Sequence, residues 1–109
     1  MIVIHLFYTG DGDNTRRFAE EMESSGLANA IRSREGNLGY DYYYPAARPD
    51  TVLLIDRWRD QAALDAHHAS PIMGQIAALR EKYDLHMEVE RFIARENEGE
   101  DPDRQFIRK

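Results

Sequence analysis

Thr51-Val52-Leu53-Leu54-Ile55-Asp56-Arg57-Trp58 is the stretch on which the reading of the fold turns. β-Branched, aliphatic and aromatic side chains dominate it, which marks a strand. Bulky residues of both parities imply a strand covered on both sides. Val52, Leu54, Asp56 and Trp58 face one side. A carboxylate on that mostly apolar side is costly unless it is paired or sits in a partly wet cavity. Arg57 points to the opposite face and cannot pair with it.

Working outward, Pro45 and Pro49 mark the loop before this strand, and Asn37 to Tyr44 reads as its hairpin partner. Upstream, Ile2 to Tyr8 reads as a strand bounded by the turn-prone Thr9-Gly10-Asp11-Gly12-Asp13. Asp13 or Asn14 offers an N-cap, and Thr15, Phe18, Ala19 and Met22 recur at the spacing of one helix face. Ser24-Ser25-Gly26 interrupts that helix, and Leu27, Ala30 and Ile31 continue it for a turn or two before Gly36. Downstream, Asp60 caps a helix from Gln61 to Ala69. Ser70 then caps another, with Pro71 at its first position. Ile72, Ile76, Leu79 and Tyr83 form its apolar stripe. Leu85, Met87, Val89 and Ile93 alternate with polar residues in a half-buried strand, with Arg91 breaking the apolar set. The domain spans 1–94, and 95–109 reads as a charged tail in which Phe106 and Ile107 could dock on a partner.

The order β-α-β-β-α-β is the ferredoxin-like split βαβ pattern, an α+β fold with a four-stranded antiparallel sheet and the helices on one face. The other face is then bare, and no third layer is encoded. An apolar sheet face of that size calls for a two-fold dimer packed sheet to sheet.

Composition narrows the chemistry. A chain of 109 residues fits one domain with one modest core. With no cysteine, disulfides, thiol nucleophiles and thiolate-held metals are excluded. A net charge of −6 argues against nucleic acid or anionic lipid as the main partner. Without an apolar run of membrane length or a signal peptide, the expected location is the cytoplasm.

Three local patterns are set aside. Tyr8 to Thr15 sits like a phosphate loop between strand and helix, but Asp11 and Asp13 repel phosphate. Asp11-x-Asp13 begins like a calcium loop, yet Arg16 stands where glycine is required. His67 and His68 are adjacent on a helix, about 100° apart, and cannot chelate one metal well. No metal site is expected.

Tyr40, Tyr42, Tyr43 and Tyr44 place four phenols in five residues, with Tyr40, Tyr42 and Tyr44 on one sheet face and Tyr43 on the other. Such a run fills a core or dimer seam, or forms an aromatic wall for a ring-shaped ligand.

The run Asp56-Arg57-Trp58-Arg59-Asp60-Gln61-Ala62-Ala63-Leu64-Asp65-Ala66-His67-His68-Ala69-Ser70 resembles the acidic-x-Trp-x-Asp, Ala-Leu and Ala-His-x-x-Ser pattern of the antibiotic biosynthesis monooxygenase family, which includes quinol monooxygenase-like members. Gly36-x-Leu38-x-Tyr40 resembles that family's second strand. The resemblance implies a dimeric α/β barrel, a homodimer with a ligand cavity in each subunit between sheet and helices. It also implies oxidation of quinols or other electron-rich aromatics by O2 with no cofactor. On that resemblance Trp58 and His67 are the catalytic candidates, His67 as base or orienting group. Tyr40, Tyr42, Asp56 and Leu54 are the substrate-binding candidates, and Asp56 holds Trp58 or His67 in place. Leu54 stands where oxygenating members often carry an Asn, which keeps a non-catalytic dimer binding an aromatic ligand as the alternative. The related haem-degrading branch needs a histidine on the last helix, and Ile72 to Tyr83 has none.

Overall fold

The computed structural model describes residues 1–95 and 102–108, so part of the expected tail lies outside the described residues. Strands β1 (Ile2–Thr9), β2 (Asn37–Tyr43), β3 (Thr51–Trp58) and β4 (His86–Ile93) form one antiparallel sheet in the order β2-β3-β1-β4. Helices α1 (Asn14–Ser24) and α2 (Leu27–Arg32) follow β1; α3 (Gln61–His68) and α4 (Ile72–Lys82) follow β3. This is the ferredoxin-like β-α-β-β-α-β arrangement, with each helical stretch broken in two. Gly26, at φ 85°, makes the break between α1 and α2.

β1 is paired along its whole length on both sides, from Ile2↔Trp58 to Thr9↔Thr51 and from Ile2↔Ile93 to Thr9↔His86. Opposed residues share a face, so Asp56, Ile4 and Arg91 form one row on the helix side, and Val52, Tyr8 and Met87 another. Phe18 and Met22 of α1, Ile31 of α2, and Val52, Leu54 and Trp58 of β3 are almost inaccessible to solvent. Each such side chain contributes about 1.5–3 kcal/mol through burial.

Two expectations change here. Every residue of β4 is exposed, whereas the alternating pattern predicts a half-buried strand. The helices cover β2, β3 and β1 and stop short of β4, so the apolar side of that strand overhangs an open space. Ser70 does not cap α4 with its side chain; its hydroxyl donates instead to the His67 carbonyl at 2.7 Å and closes the end of α3. Asp60 does cap α3, its carboxylate accepting from the Ala63 N–H at 2.9 Å. In the described part of the tail, Phe106 and Ile107 are exposed around a 3-10 turn at Arg104–Phe106. Among the described residues no helix is long and apolar enough to cross a membrane.

Candidate functional site

Where the helical layer ends, a cavity of about 370 Å3 opens between α3, α4 and the helix-facing side of β1 and β4. Its volume lies within the range of roughly 300–1,000 Å3 common to small-molecule sites. Ile4 and Leu6 of β1 with Met87 and Val89 of β4 form an apolar floor, under Leu64 of α3 and Met73 of α4. Asp56, Gln61, His68, Arg80 and Arg91 supply the polar groups.

Asp56 is the one carboxylate of this lining and is 5% exposed. Burial pushes its pKa up to about 6, against the opposing pull of the Trp58 indole N–H and the Asn37 side-chain amide. The Asn37 amide donates to Asp56 Oδ1 at 3.3 Å. The Trp58 indole N–H favours the carboxylate electrostatically but completes no hydrogen bond. Asn37 reaches this side through a bulge in β2: Asn37 opposes Trp58 and Tyr40 opposes Asp56, although they are three residues apart. The extra residue lets both share the helix-facing side.

Trp58 is fully buried, and the His67 ring stacks on it at 4.9 Å and 24°. His67 is buried with its Nδ1 lacking a hydrogen-bond partner. Burial, aided by repulsion from the neighbouring His68 and Arg34 side chains, pulls its pKa down to about 4, so the ring is neutral at neutral pH. Neither Trp58 nor His67 lines the cavity, and the histidine that does is His68, whose ring lies 5.8 Å from that of His67.

Of the binding candidates, only Asp56 reaches the cavity. Leu54 is core. Tyr40 is buried beside Tyr42, their rings meeting edge to face at 5.5 Å and their hydroxyls 3.3 Å apart. Burial raises the pKa of both phenols. Tyr42 instead borders a shallow depression between α1 and β2, and Tyr40 a separate one along β2 beside Arg32 and Arg57.

Reading the sequence missed Asn37, His68, Arg80 and Arg91. The break that Arg91 makes in the apolar side of β4 was the available signal for one of them. Arg80 Nε donates to the hydroxyl of buried Tyr8 at 3.1 Å, its guanidinium 5.5 Å from the centre of that ring. Arg91 donates to the Gln61 side-chain carbonyl and bridges β4 to α3. Among the described residues no three histidine or acidic side chains converge in a way that could hold a metal ion.

Comparison with known proteins agrees with this fold. The family model for antibiotic biosynthesis monooxygenase matches residues 1–79, from β1 into α4. The protein named "Putative monooxygenase YcnE" from Bacillus subtilis (strain 168) is 28% identical over 68 residues, 62% of this chain and 70% of that protein. A crystal structure described as a "putative antibiotic biosynthesis monooxygenase" from Deinococcus radiodurans shares the fold with a TM-score of 0.78 at 18% identity, over 91% of this chain and 97% of that one. SnoaB, described as a cofactor-independent oxygenase from Streptomyces nogalater, shares it with a TM-score of 0.72 at 16% identity and the same coverage of 91% and 97%. The chain therefore belongs to the antibiotic biosynthesis monooxygenase family.

Proposed function

We propose that this protein is a cofactor-independent monooxygenase that oxidises a quinol or another electron-rich aromatic with O2, in the cavity beneath β4. The observation that carries the reading is Asp56: a buried carboxylate in a mostly apolar cavity, with a pKa of about 6. A base poised near neutral pH suits abstraction of a phenolic or enolic proton. Membership of the family and the fold shared with SnoaB support the same reaction class.

In this mechanism Asp56 takes the hydroxyl proton, and the resulting anion transfers one electron to O2. Superoxide and the ring radical then combine to form the new C–O bond as a hydroperoxide. The O–O bond and the C–H bond of the oxygenated ring carbon then break together: Asp56 returns its proton to the departing oxygen, and the proton shed by that carbon completes the water. One oxygen atom stays on the ring as a carbonyl and the other leaves as water, with the reducing electrons supplied by the substrate. The chain's own work is to hold the ring, accept the proton and exclude water. Trp58 and His67 act as positioning residues, their stack fixing the indole beside the carboxylate.

The bare sheet face supports the two-fold, sheet-to-sheet dimer. Val3, Phe7, Leu53 and Ile55 are half-buried there within one protomer, and Tyr43 and Phe92 are exposed. The alternative is a dimer that binds an aromatic ligand without turnover. It is favoured by Leu54, which is sealed in the core and offers the cavity no hydrogen-bonding group.

O2 uptake by the protein with a panel of hydroquinones and anthrone-like aromatics separates these readings, with Asp56→Asn as the control for autoxidation. Saturable uptake lost in the variant supports the oxygenase. Uptake no faster than the variant across the panel favours the binding dimer.

A further inference from the structure

We propose that Arg80 seats a carboxylate of the substrate, so that the site takes aromatic acids whose hydroxyl lies at the opposite end of the ring system. This inference rests on the oxygenase reading of the same cavity and specifies its substrate class.

The cavity has two distinct ends. At one end Asp56, Ile4 and Arg91 form a row across the sheet. At the other, Arg80 is fixed on Tyr8, the residue of β1 opposite Met87. Ile4 and Tyr8 are four residues apart along β1, a backbone separation of about 13 Å at the rise of a strand, with both side chains on the helix-facing side. Between them the walls are apolar: Leu6, Val89, Leu64 and Met73. A flat hydrocarbon ring system matches the middle, a proton-donating hydroxyl matches the Asp56 end, and an anion matches the Arg80 end.

The state of Arg80 argues for a carboxylate in particular. Its Nε is committed to Tyr8, which fixes the plane of the guanidinium. Its terminal nitrogens make no ion pair among the described residues. Half-buried beside an apolar wall, the Arg80 guanidinium favours an incoming anion. Its planar pair of donors matches the two oxygens of a carboxylate. Arg91 is less available for this role because Gln61 already accepts from it, and it stands in the same row as the Asp56 carboxylate.

Calorimetry without O2 tests this. The probes are 6-hydroxy-2-naphthoate, with carboxylate and hydroxyl at opposite ends, and 2-naphthol, which lacks the carboxylate. Wild-type protein is expected to bind the acid at least tenfold more tightly, and Arg80→Gln to lose most of that preference. Arg80→Lys, which keeps the charge but not the fork, should fall between them. Equal affinity for the two probes in the wild type, or no binding of either, overturns the proposal. So does an undiminished preference in a folded Arg80→Gln. The wild-type comparison stands even if Arg80→Gln fails to fold after losing its bond to Tyr8. Failure of the oxygenase reading looks different: the acid is preferred, but neither this acid nor any aromatic in the panel gives Asp56-dependent O2 uptake.

Discussion

Asp56 and His67 titrate in opposite senses, and the two shifts nearly hide one another. Asp56 has its pKa raised from 3.8 to about 6, so its contribution to stability is full below about 3.8 and is lost as pH rises to about 6. His67 has its pKa lowered from 6.5 to about 4, so its contribution is full above about 6.5 and is lost as pH falls to about 4. The slopes oppose each other across pH 4–6.5, and each substitution should unmask the other group. Urea titrations are expected to show Asp56→Asn gaining stability as pH rises through this window, and His67→Phe losing it. The same slope in both variants would contradict these assignments. Trp58→Phe removes the indole N–H that favours the ionised carboxylate, so the pH at which turnover reaches half its maximum should move upward. A fall in rate with no change of pH profile would make Trp58 a packing residue only. The pairing of Asp56 with Trp58 on one side of β3 was legible from alternation alone. The choice between His67 and His68 was harder, because neighbouring helix positions diverge by about 100°. The buried run Ala63, Leu64, His67 marks His67 as part of the core stripe, leaving His68 to the cavity.

At the scale of elements, two glycines place the carboxylate. Gly39 lies at the bulge that brings Asn37 and Tyr40 to one side of β2, and a glycine inside a strand is the signal by which such a bulge can be read. Gly36 has φ 83°, and a Cβ there would overlap the Ala63 Cβ of α3. Gly36→Ala combines left-handed strain with a steric clash, and is expected to cost on the order of 2–4 kcal/mol, seen as a lowered denaturant midpoint. A neutral effect would mean that α3 does not pack so closely on the start of β2. Strand and helix order followed from periodicity because each element's apolar side faces a neighbour. β4 also followed as a strand from its alternation, but its half-burial did not, because the surface it faces is a cavity. Ser70 misled for a different reason: it stands between two helices, and its hydroxyl serves the end of the first.

For the whole molecule, the absence of a third layer already implied an uncovered sheet, and the structure leaves Leu53, Ile55 and Phe92 on that face. The position of the cavity was not legible, since it depends on how far the helical layer extends across the sheet. Light scattering at micromolar concentration is expected to give a dimer for the wild type. Ile55→Lys, which places a charge in the centre of the seam, should give a folded monomer. A monomeric wild type would remove the dimer from the account. The central claim, that Asp56 is the base of an oxygenase, is tested most directly by the pH dependence of O2 uptake in wild type and Asp56→Asn. Protein-dependent uptake should rise through about pH 6 and fall at least a hundredfold in the variant, the lower range for loss of a general base. Uptake that is equal in the two proteins, or that shows no inflection near pH 6, would contradict it.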